Sequence, residues 1–306
     1  MSLTIILAKI ITAGETTVAR GLREPSTRTT ASGAPPGAVR AMLATTGPRR
    51  ALRHEGDNPA VTGAGELAEF YERGYTRDPQ AARNSRWRAL GAVGKADHVI
   101  GLCTRATQPV RNILDVGCGD GALLCELRRR GFGERHDGVE IASAAVALAR
   151  TRGLDAVELY DGEHLPAGAG EYDLGILSHV LEHVPDPAAL LAETARACRA
   201  VVVEVPLEDN LSARRAAKRE HAAEVGHLQR LSRDAVRAIV ARAGPRLVGE
   251  LEDPLPLAVH RFLASPSPPA QAQATAKWAL RAGLHRVAPG TARRLFTVHY
   301  ACLCLR

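Results

Sequence analysis

Three glycines at alternate positions, Gly117, Gly119 and Gly121, follow the short apolar run Ile113–Val116. Because glycine has no Cβ atom, its backbone can approach a bound molecule closely. The residues from Ala122 onward favour a helix, whose free N–H groups and positive dipole end would point at that molecule. We therefore expect this turn to bind a ligand with an anionic or carboxylate group.

The spacing of these glycines fits two kinds of nucleotide site. Gly117 and Gly119 with Ala122 satisfy the relaxed fingerprint G-x-G-x-x-G/A, in which the pyrophosphate of NAD lies on the helix. Gly117, Gly119 and Gly121 with Asp115 two residues earlier form a second pattern. In this pattern, an apolar strand with an acidic residue before G-x-G-x-G, the sequence resembles the class I S-adenosylmethionine-dependent methyltransferases. The turn alone leaves both alternatives open.

Glu140 lies in a second predicted short strand (138–141), about twenty residues beyond the glycines, where doubly wound folds place the carboxylate that binds ribose hydroxyls. NAD enzymes and methyltransferases share this feature. Glu140 therefore indicates a nucleoside site of either kind.

Two later segments favour the methyltransferases. Asp161-Gly162 followed by Leu165-Pro166 resembles the family's loop after the third strand, where an acid contacts the adenine amino group. The segment Leu181–Pro187 closely resembles the motif that follows the fourth strand in methyltransferases of the ubiquinone-biosynthesis type. NAD dehydrogenases have no such segment.

The same region contains a second signature. His179, Glu182 and His183 match H-x-x-E-H, the inverted zinc-protease motif, which needs a long helix to place both imidazoles on one face. Here an apolar strand precedes the motif and Pro185 would interrupt a helix. The six cysteines form no C-x-x-C pair either, so we expect no metal site.

The resemblance implies S-adenosylmethionine as cofactor and assigns residues to it. The expected cofactor-binding residues are Asp115, Gly117, Cys118, Gly119, Gly121, Glu140, Ile141, Asp161, Gly162, Ser178 and His183. In the family the segment before the glycine-rich strand often folds over the cofactor, which suggests lid contacts from Tyr71, Tyr75 and Trp87. Should the acceptor need deprotonation, His179 and His227 are the candidate bases.

Elements that would position these residues alternate between strand and helix from about residue 110 to 252. This predicts an α/β fold, a doubly wound open sheet with helices on both faces; the resemblance implies seven strands, mostly parallel, with the last antiparallel. We divide the chain into a disordered or loosely attached extension (1–60), a helical lid segment (61–108) and a Rossmann-like domain (109–306) with a helical insertion near 253–292.

The amino-acid composition limits the kinds of partner and the compartment that we expect. The 306 residues carry a net charge of +7, but the basic residues are dispersed and aromatic residues make up only 4%. These features argue against a nucleic-acid partner. No apolar run has the length of a membrane span. Cysteines in apolar stretches suit a reducing compartment, so we expect a cytoplasmic protein.

We therefore expect an enzyme that transfers a methyl group from S-adenosylmethionine to an oxygen, nitrogen or carbon of a small molecule. Three alternatives stay open: an NAD-linked oxidoreductase, an RNA or protein methyltransferase, and a non-catalytic binding module that keeps the fold.

Overall fold

The computed structural model describes residues 64–77 and 80–306. The predicted disorder of residues 1–60 lies outside the described residues. Two helices precede the sheet, α1 (Ala64–Thr76) and α2 (Ala81–Arg105).

The described residues form one sheet of seven strands. The strands are β1 (Asn112–Val116), β2 (Arg135–Glu140), β3 (Val157–Leu159), β4 (Tyr172–Ser178), β5 (Cys198–Pro206), β6 (Arg246–Asp253) and β7 (His299–Leu305). Their order across the sheet is β3-β2-β1-β4-β5-β7-β6. Strand β7 pairs antiparallel with β5 and β6, and the other pairs are parallel. The predicted fold class is confirmed.

Helices cover both faces of this sheet. The helices between the strands are α3 (Ala122–Arg129), α4 (Ser143–Thr151), α5 (Pro187–Ala197), α6 (Ala216–Glu224) and α7 (Arg233–Ala243). On one face α2, α3 and α4 share a core through Val99, Leu124 and Val146. On the other face α5 and α7 share a core through Leu191 and Val236.

Strand β5 lies between these two cores and alternates between them. Val201 and Val203 pack in one core, whereas Ala200 and Val202 pack in the other. This alternation follows from the two-residue period of a strand and explains why β5 is apolar on both faces.

Capping residues mark the starts of α5 and α7 and the end of α7, as the sequence predicts. Asp186 accepts hydrogen bonds from the N–H groups of Ala188 and Ala189, and Pro187 is the first residue of α5. Ser232 accepts one from Ala235 N–H at the start of α7, which ends at Gly244 in the left-handed conformation.

Three further helices lie between β6 and β7: α8 (Leu257–Leu263), α9 (Pro268–Val287) and α10 (Pro289–Leu295). In the part of the chain that the structure describes, none of the helices has the length and apolar character to cross a bilayer.

Candidate active site

The glycine turn connects β1 to α3 at the carboxyl end of the sheet. Gly117, Gly119 and Gly121 have φ angles of 73°, 56° and 71°, in the left-handed region that favours glycine. The N–H groups of Gly117 and Cys118 both donate to the carbonyl of Val139, which joins the turn to β2. A Cβ atom on Gly117 would lie only 2.8 Å from Val180 Cγ2, so the turn also abuts the segment after β4.

Glu140 ends β2 and organises this turn. One carboxylate oxygen accepts a hydrogen bond from Gly119 N–H at 2.8 Å, and the other accepts from Ile141 and Ala142 N–H. Burial raises the pKa of Glu140 despite these three donors. A buried carboxylate beside a glycine turn, at the end of the second strand, suits the predicted contact with ribose hydroxyls.

Asp115 is the buried acid of β1, three percent exposed. Burial raises its pKa to about 7, with Glu140 acting in the same direction and Lys95 opposing. The carboxyl groups of Asp115 and Glu140 are therefore close enough for the charge of Glu140 to raise the pKa of Asp115.

Helix α1 lies over the turn. A Cβ atom on Gly119 would come within 2.8 Å of the Tyr75 hydroxyl, and the Arg88 guanidinium lies 5.0 Å from the Tyr75 ring centroid. The Tyr71 ring contacts the His183 ring edge to face at 5.8 Å between centroids. The structure thus brings both tyrosines of the expected lid to the site.

Glu72 of α1 anchors this helix. Helix α4 begins without a capping side chain of its own. Glu72 instead accepts hydrogen bonds from the Ser143 hydroxyl at 3.1 Å and from Ala144 N–H at 3.0 Å. A carboxylate at a helix N-terminus also interacts favourably with the helix dipole. The sequence carries no local signal for this cap, because Glu72 lies in a different helix.

Trp87 is placed elsewhere. Its ring contacts that of Phe262 in α8, with 5.6 Å between centroids. Its neighbour Arg88 reaches the turn instead, where it donates to Asp120 at 2.7 Å. The ring contact described for Trp87 is thus with α8, and its expected lid contact with the cofactor stays a prediction.

Asp161 and Gly162 lie in the loop after β3. One oxygen of the exposed Asp161 accepts hydrogen bonds from Glu163 and His164 N–H, which forms a tight turn. The other oxygen lies 3.0 Å from His164 Nδ1. A carboxylate oxygen can accept more than one hydrogen bond, so the predicted contact with an adenine amino group stays a prediction.

The segment after β4 turns sharply. Ser178 is buried at the end of β4, and His179 adopts a left-handed φ of 59°. A single turn of 3-10 helix, Leu181–His183, follows. The long helix that an inverted zinc-protease motif requires is therefore replaced by this short turn, as the sequence predicts.

His227 lies on a turn that docks against this segment. The N–H groups of Leu228 and Gln229 donate to the carbonyl of Glu182. The rings of His183 and His227 meet edge to face, with 4.8 Å between centroids. Burial lowers the pKa of His183, which favours its neutral imidazole.

Glu208, which sequence reasoning missed, lies beside His227. Its carboxylate is 2.9 Å from His227 Nδ1. A carboxylate on Nδ1 orients an imidazole and leaves Nε2 able to accept a proton. The two residues are close in space although they lie on either side of α6, so no sequence spacing indicated the pair.

A second group that the sequence did not reveal lies at the end of β5. The fully buried carboxylate of Glu204 is surrounded by the imidazoles of His98, His179 and His299. The one available signal was Glu204 itself, an ionisable residue within the apolar run 201–205. Such a residue needs a partner when buried.

Comparison with known proteins places this geometry in a family. The family model described as "Methyltransferase domain" matches residues 82–249, more than half of the chain. Among curated relatives, the ubiquinone biosynthesis O-methyltransferase of Hahella chejuensis is 36% identical over 101 residues, which cover 31% of this chain and 42% of the relative. The enzyme of the same name from Thiobacillus denitrificans is 32% identical over 140 residues, or 44% and 57% of the two chains. The chain thus spans about half the length of the curated relatives it matches.

Solved structures agree on the fold. Geranyl diphosphate C-methyltransferase from Streptomyces coelicolor A3(2) superposes with a TM-score of 0.53 at 14% identity, covering 81% of this chain and 99% of that one. Phosphoethanolamine N-methyltransferase 2 from Haemonchus contortus superposes with a TM-score of 0.51 at 14% identity, covering 77% and 60%. Because the family match includes both the glycine turn and the segment after β4, the chain belongs to the methyltransferase domain family, which confirms its resemblance to the class I S-adenosylmethionine-dependent methyltransferases.

Proposed function

We propose that this protein transfers the methyl group of S-adenosylmethionine to a hydroxyl oxygen of a small molecule. The observation that carries the proposal is the position of an oriented imidazole, His227 held by Glu208, on a turn docked to the segment that borders the glycine turn. The glycine turn with Glu140, which we call the cofactor cradle, is thereby joined to the proton acceptor His227 through the short segment after β4.

The residues of the cradle fit the cofactor. A Cβ atom at position 117 or 119 would lie 2.8 Å from Val180 Cγ2 or from the Tyr75 hydroxyl, so the turn requires glycine at both positions, and glycine lets a ligand lie close to the backbone. Glu140 offers a buried carboxylate next to it. We expect the cofactor's amino-acid end at the turn, its ribose at Glu140 and its adenine near Asp161. When bound, the cofactor supplies a methyl group on a sulfonium, an electrophile with a neutral leaving group.

The protein's first task is alignment. Displacement at the methyl carbon needs the acceptor oxygen in line with the methyl–sulfur bond, and holding two reactants in that geometry supplies much of the rate enhancement. Tyr71 and His183 form a wall between α1 and the segment after β4. We expect these side chains to shape the acceptor pocket and to keep water out of it.

The second task is proton removal. A hydroxyl that is neutral near pH 7 must lose its proton as the oxygen attacks. With Nδ1 facing Glu208, His227 can accept that proton at Nε2, and the carboxylate then stabilises the imidazolium. His179, the other candidate base, lies between Glu182 and Glu204 and is less well placed for this task.

An oxygen acceptor is also what the names of the two curated relatives suggest, since both are O-methyltransferases. The S. coelicolor and H. contortus enzymes are named for carbon and nitrogen acceptors, respectively, so the shared fold leaves the acceptor atom open.

The decisive test is methyl transfer by the purified full chain from labelled S-adenosylmethionine. The acceptor panel should contain phenols, aliphatic alcohols, amines, protein and RNA. We expect label in the hydroxyl compounds, and His227→Gln should lower kcat by about 10²–10⁴-fold with unchanged affinity for S-adenosylhomocysteine. Glu208→Gln should cause a smaller loss, and His221→Gln, at an exposed position on α6, should cause none.

Other outcomes would redirect the proposal. Label in RNA or protein would replace the small-molecule acceptor. Stabilisation by NADH but not by S-adenosylhomocysteine would favour the oxidoreductase alternative. Cofactor binding without transfer to any class would favour the binding module.

A further inference from the structure

Three strand ends meet at Glu204. His179 follows β4, Glu204 lies near the end of β5, and His299 begins β7. The antiparallel pairing of β7 with β5 places its first residue opposite Pro206, at the carboxyl end of the parallel strands. His98 approaches the same carboxylate from α2.

The distances within this group approach those between ligand atoms around a metal ion. Glu204 Oε1 lies 3.3 Å from His299 Nδ1 and 3.7 Å from His179 Nε2. The three ligand atoms all lie within 4.8 Å of one another. Zinc bonds of about 2.0–2.2 Å at tetrahedral angles separate neighbouring ligand atoms by about 3.3–3.6 Å. One ion could therefore contact all three side chains after small movements.

Several of these atoms lack hydrogen bonds. Among the described residues, Glu204 Oε1 and His179 Nε2 are buried and have no hydrogen-bond partner, although they are close to each other. The Glu204 side chain is fully buried. A buried carboxylate oxygen that is unsatisfied in this way costs free energy. A cation between the ligand atoms would satisfy both atoms at once.

Neighbouring groups support the ligands from outside. The other nitrogen of His179, Nδ1, lies 3.2 Å from Glu182 Oε1, the arrangement in which a carboxylate orients a metal-binding imidazole. His98 lies between Glu204 and Asp253, 3.4 Å from each carboxylate, and so connects one ligand to the surface. The ammonium group of Lys95 on α2 acts in the opposite sense, because its positive charge lowers the pKa of both His179 and His299 and would also repel a bound cation.

We propose that His179, Glu204 and His299 bind a divalent transition-metal ion of the zinc class. Two imidazoles and one carboxylate form the ligand set of zinc sites that keep a fourth position for water or substrate. The His179 and His299 side chains are 24% and 19% exposed, although His179 Nε2 and Glu204 Oε1 are themselves buried. This proposal differs from the sequence-based expectation of no metal, which considered cysteine pairs and the H-x-x-E-H motif only.

The site does not depend on the proposed acceptor. A second group, Glu182, His183 and His227, also has ligand atoms within 4.8 Å of one another. The two groups share no ligand, although Glu182 lies beside His179 of the first. Both oxygens of Glu182 also lack hydrogen-bond partners, but His183 has the Gly226 carbonyl and His227 has Glu208. Among the described residues, only the first group combines an unpartnered carboxylate oxygen with an unpartnered imidazole nitrogen, which favours it.

The test is metal binding by the full chain, purified without a histidine tag and stripped with a chelator. We expect the chain to bind one equivalent of Zn²⁺, measured by equilibrium dialysis and elemental analysis. Co²⁺ bound in its place should give the visible absorption bands of a four-coordinate site. His299→Ala should weaken Zn²⁺ binding by at least about 100-fold, since loss of an outer partner alone costs 10–100-fold. His221→Ala, which removes an exposed histidine on α6, and His227→Ala should bind Zn²⁺ as the parent does.

Absence of stoichiometric Zn²⁺ in the parent would overturn the proposal, as would unchanged binding by His299→Ala. Loss of the ion in His227→Ala, with retention in His299→Ala, would overturn it in favour of the second group. Should His299→Ala not fold, His179→Gln takes its place, and the Co²⁺ spectrum of the parent still decides. S-adenosylhomocysteine affinity, measured in the same samples, separates a failure of this site from a failure of the proposed function.

Discussion

The carboxylate of Glu140 accepts a hydrogen bond from the main-chain N–H of Gly119 at 2.8 Å, so the end of β2 holds the glycine turn that follows β1. The residue expected to bind ribose therefore also maintains the turn. Glu140→Ala should weaken binding of S-adenosylhomocysteine by about 1.5–3 kcal/mol, because ligand hydroxyls and three N–H groups lose a charged acceptor. Calorimetry measures this change, and unchanged affinity in a folded variant would contradict the assignment.

Gly119 tests the cradle directly. Gly119→Val places a branched side chain where the Tyr75 hydroxyl lies and strains a backbone with φ of 56°. The melting temperature of the parent should rise with S-adenosylhomocysteine by mass action, whereas that of the variant should not. Gly65→Val is a matched control, because no atom lies within 4 Å of a Cβ atom there. A variant that still responds to the ligand would argue against binding at the turn.

Glu72 tests whether α1 acts as a lid. Glu72→Ala removes the acceptor for Ser143 and Ala144 and should speed dissociation of S-adenosylhomocysteine about tenfold, which corresponds to about 1.4 kcal/mol. Stopped-flow competition measures the rate. Glu69→Ala is the control, since Glu69 is an exposed residue of the same helix and pairs only with the exposed Arg73 at 3.9 Å among the contacts described. Equal rates in the parent and Glu72→Ala would refute the lid.

Asp115 predicts a pH dependence of stability. Because its pKa rises from 3.8 to about 7 on folding, its contribution is fully present below about pH 4 and is lost as pH rises through 7. In Asp115→Asn this loss should disappear, so the variant should gain stability relative to the parent as pH rises from about 4 to 7, by up to about 1.4 kcal/mol per pH unit, with no further gain above pH 7. Urea unfolding without ligand gives the comparison. Asp155→Asn, at an exposed position, should follow the parent, and parallel curves for Asp115→Asn would contradict the raised pKa.

The predictable parts of this molecule are local ones. The structure has the turn predicted from the alternate glycines and the helix caps predicted from Asp186 and Ser232. Each of these features depends on the backbone of only a few neighbouring residues. Glu140 was predictable because its distance from the glycines follows from one strand–helix–strand unit.

The parts that sequence reasoning missed depend on long-range contacts. His98 and His299 reach Glu204 only because α2 crosses the sheet and β7 pairs with β5. The capping role of Glu72 likewise requires α1 to meet α4. The contact between Trp87 and Phe262 also requires α8 to meet α2. No spacing rule connects residues that meet only through tertiary packing.

The position of β7 has a consequence for synthesis of the protein. β7 inserts between β5 and β6, although both precede it in the chain. Until residue 299 and its successors emerge, one edge of β5 stays unpaired, and it carries the apolar run Val201–Val203. Such an edge can pair with another chain or with β6 in the wrong order. We therefore expect the nascent chain to be prone to aggregation until β7 has been inserted between β5 and β6.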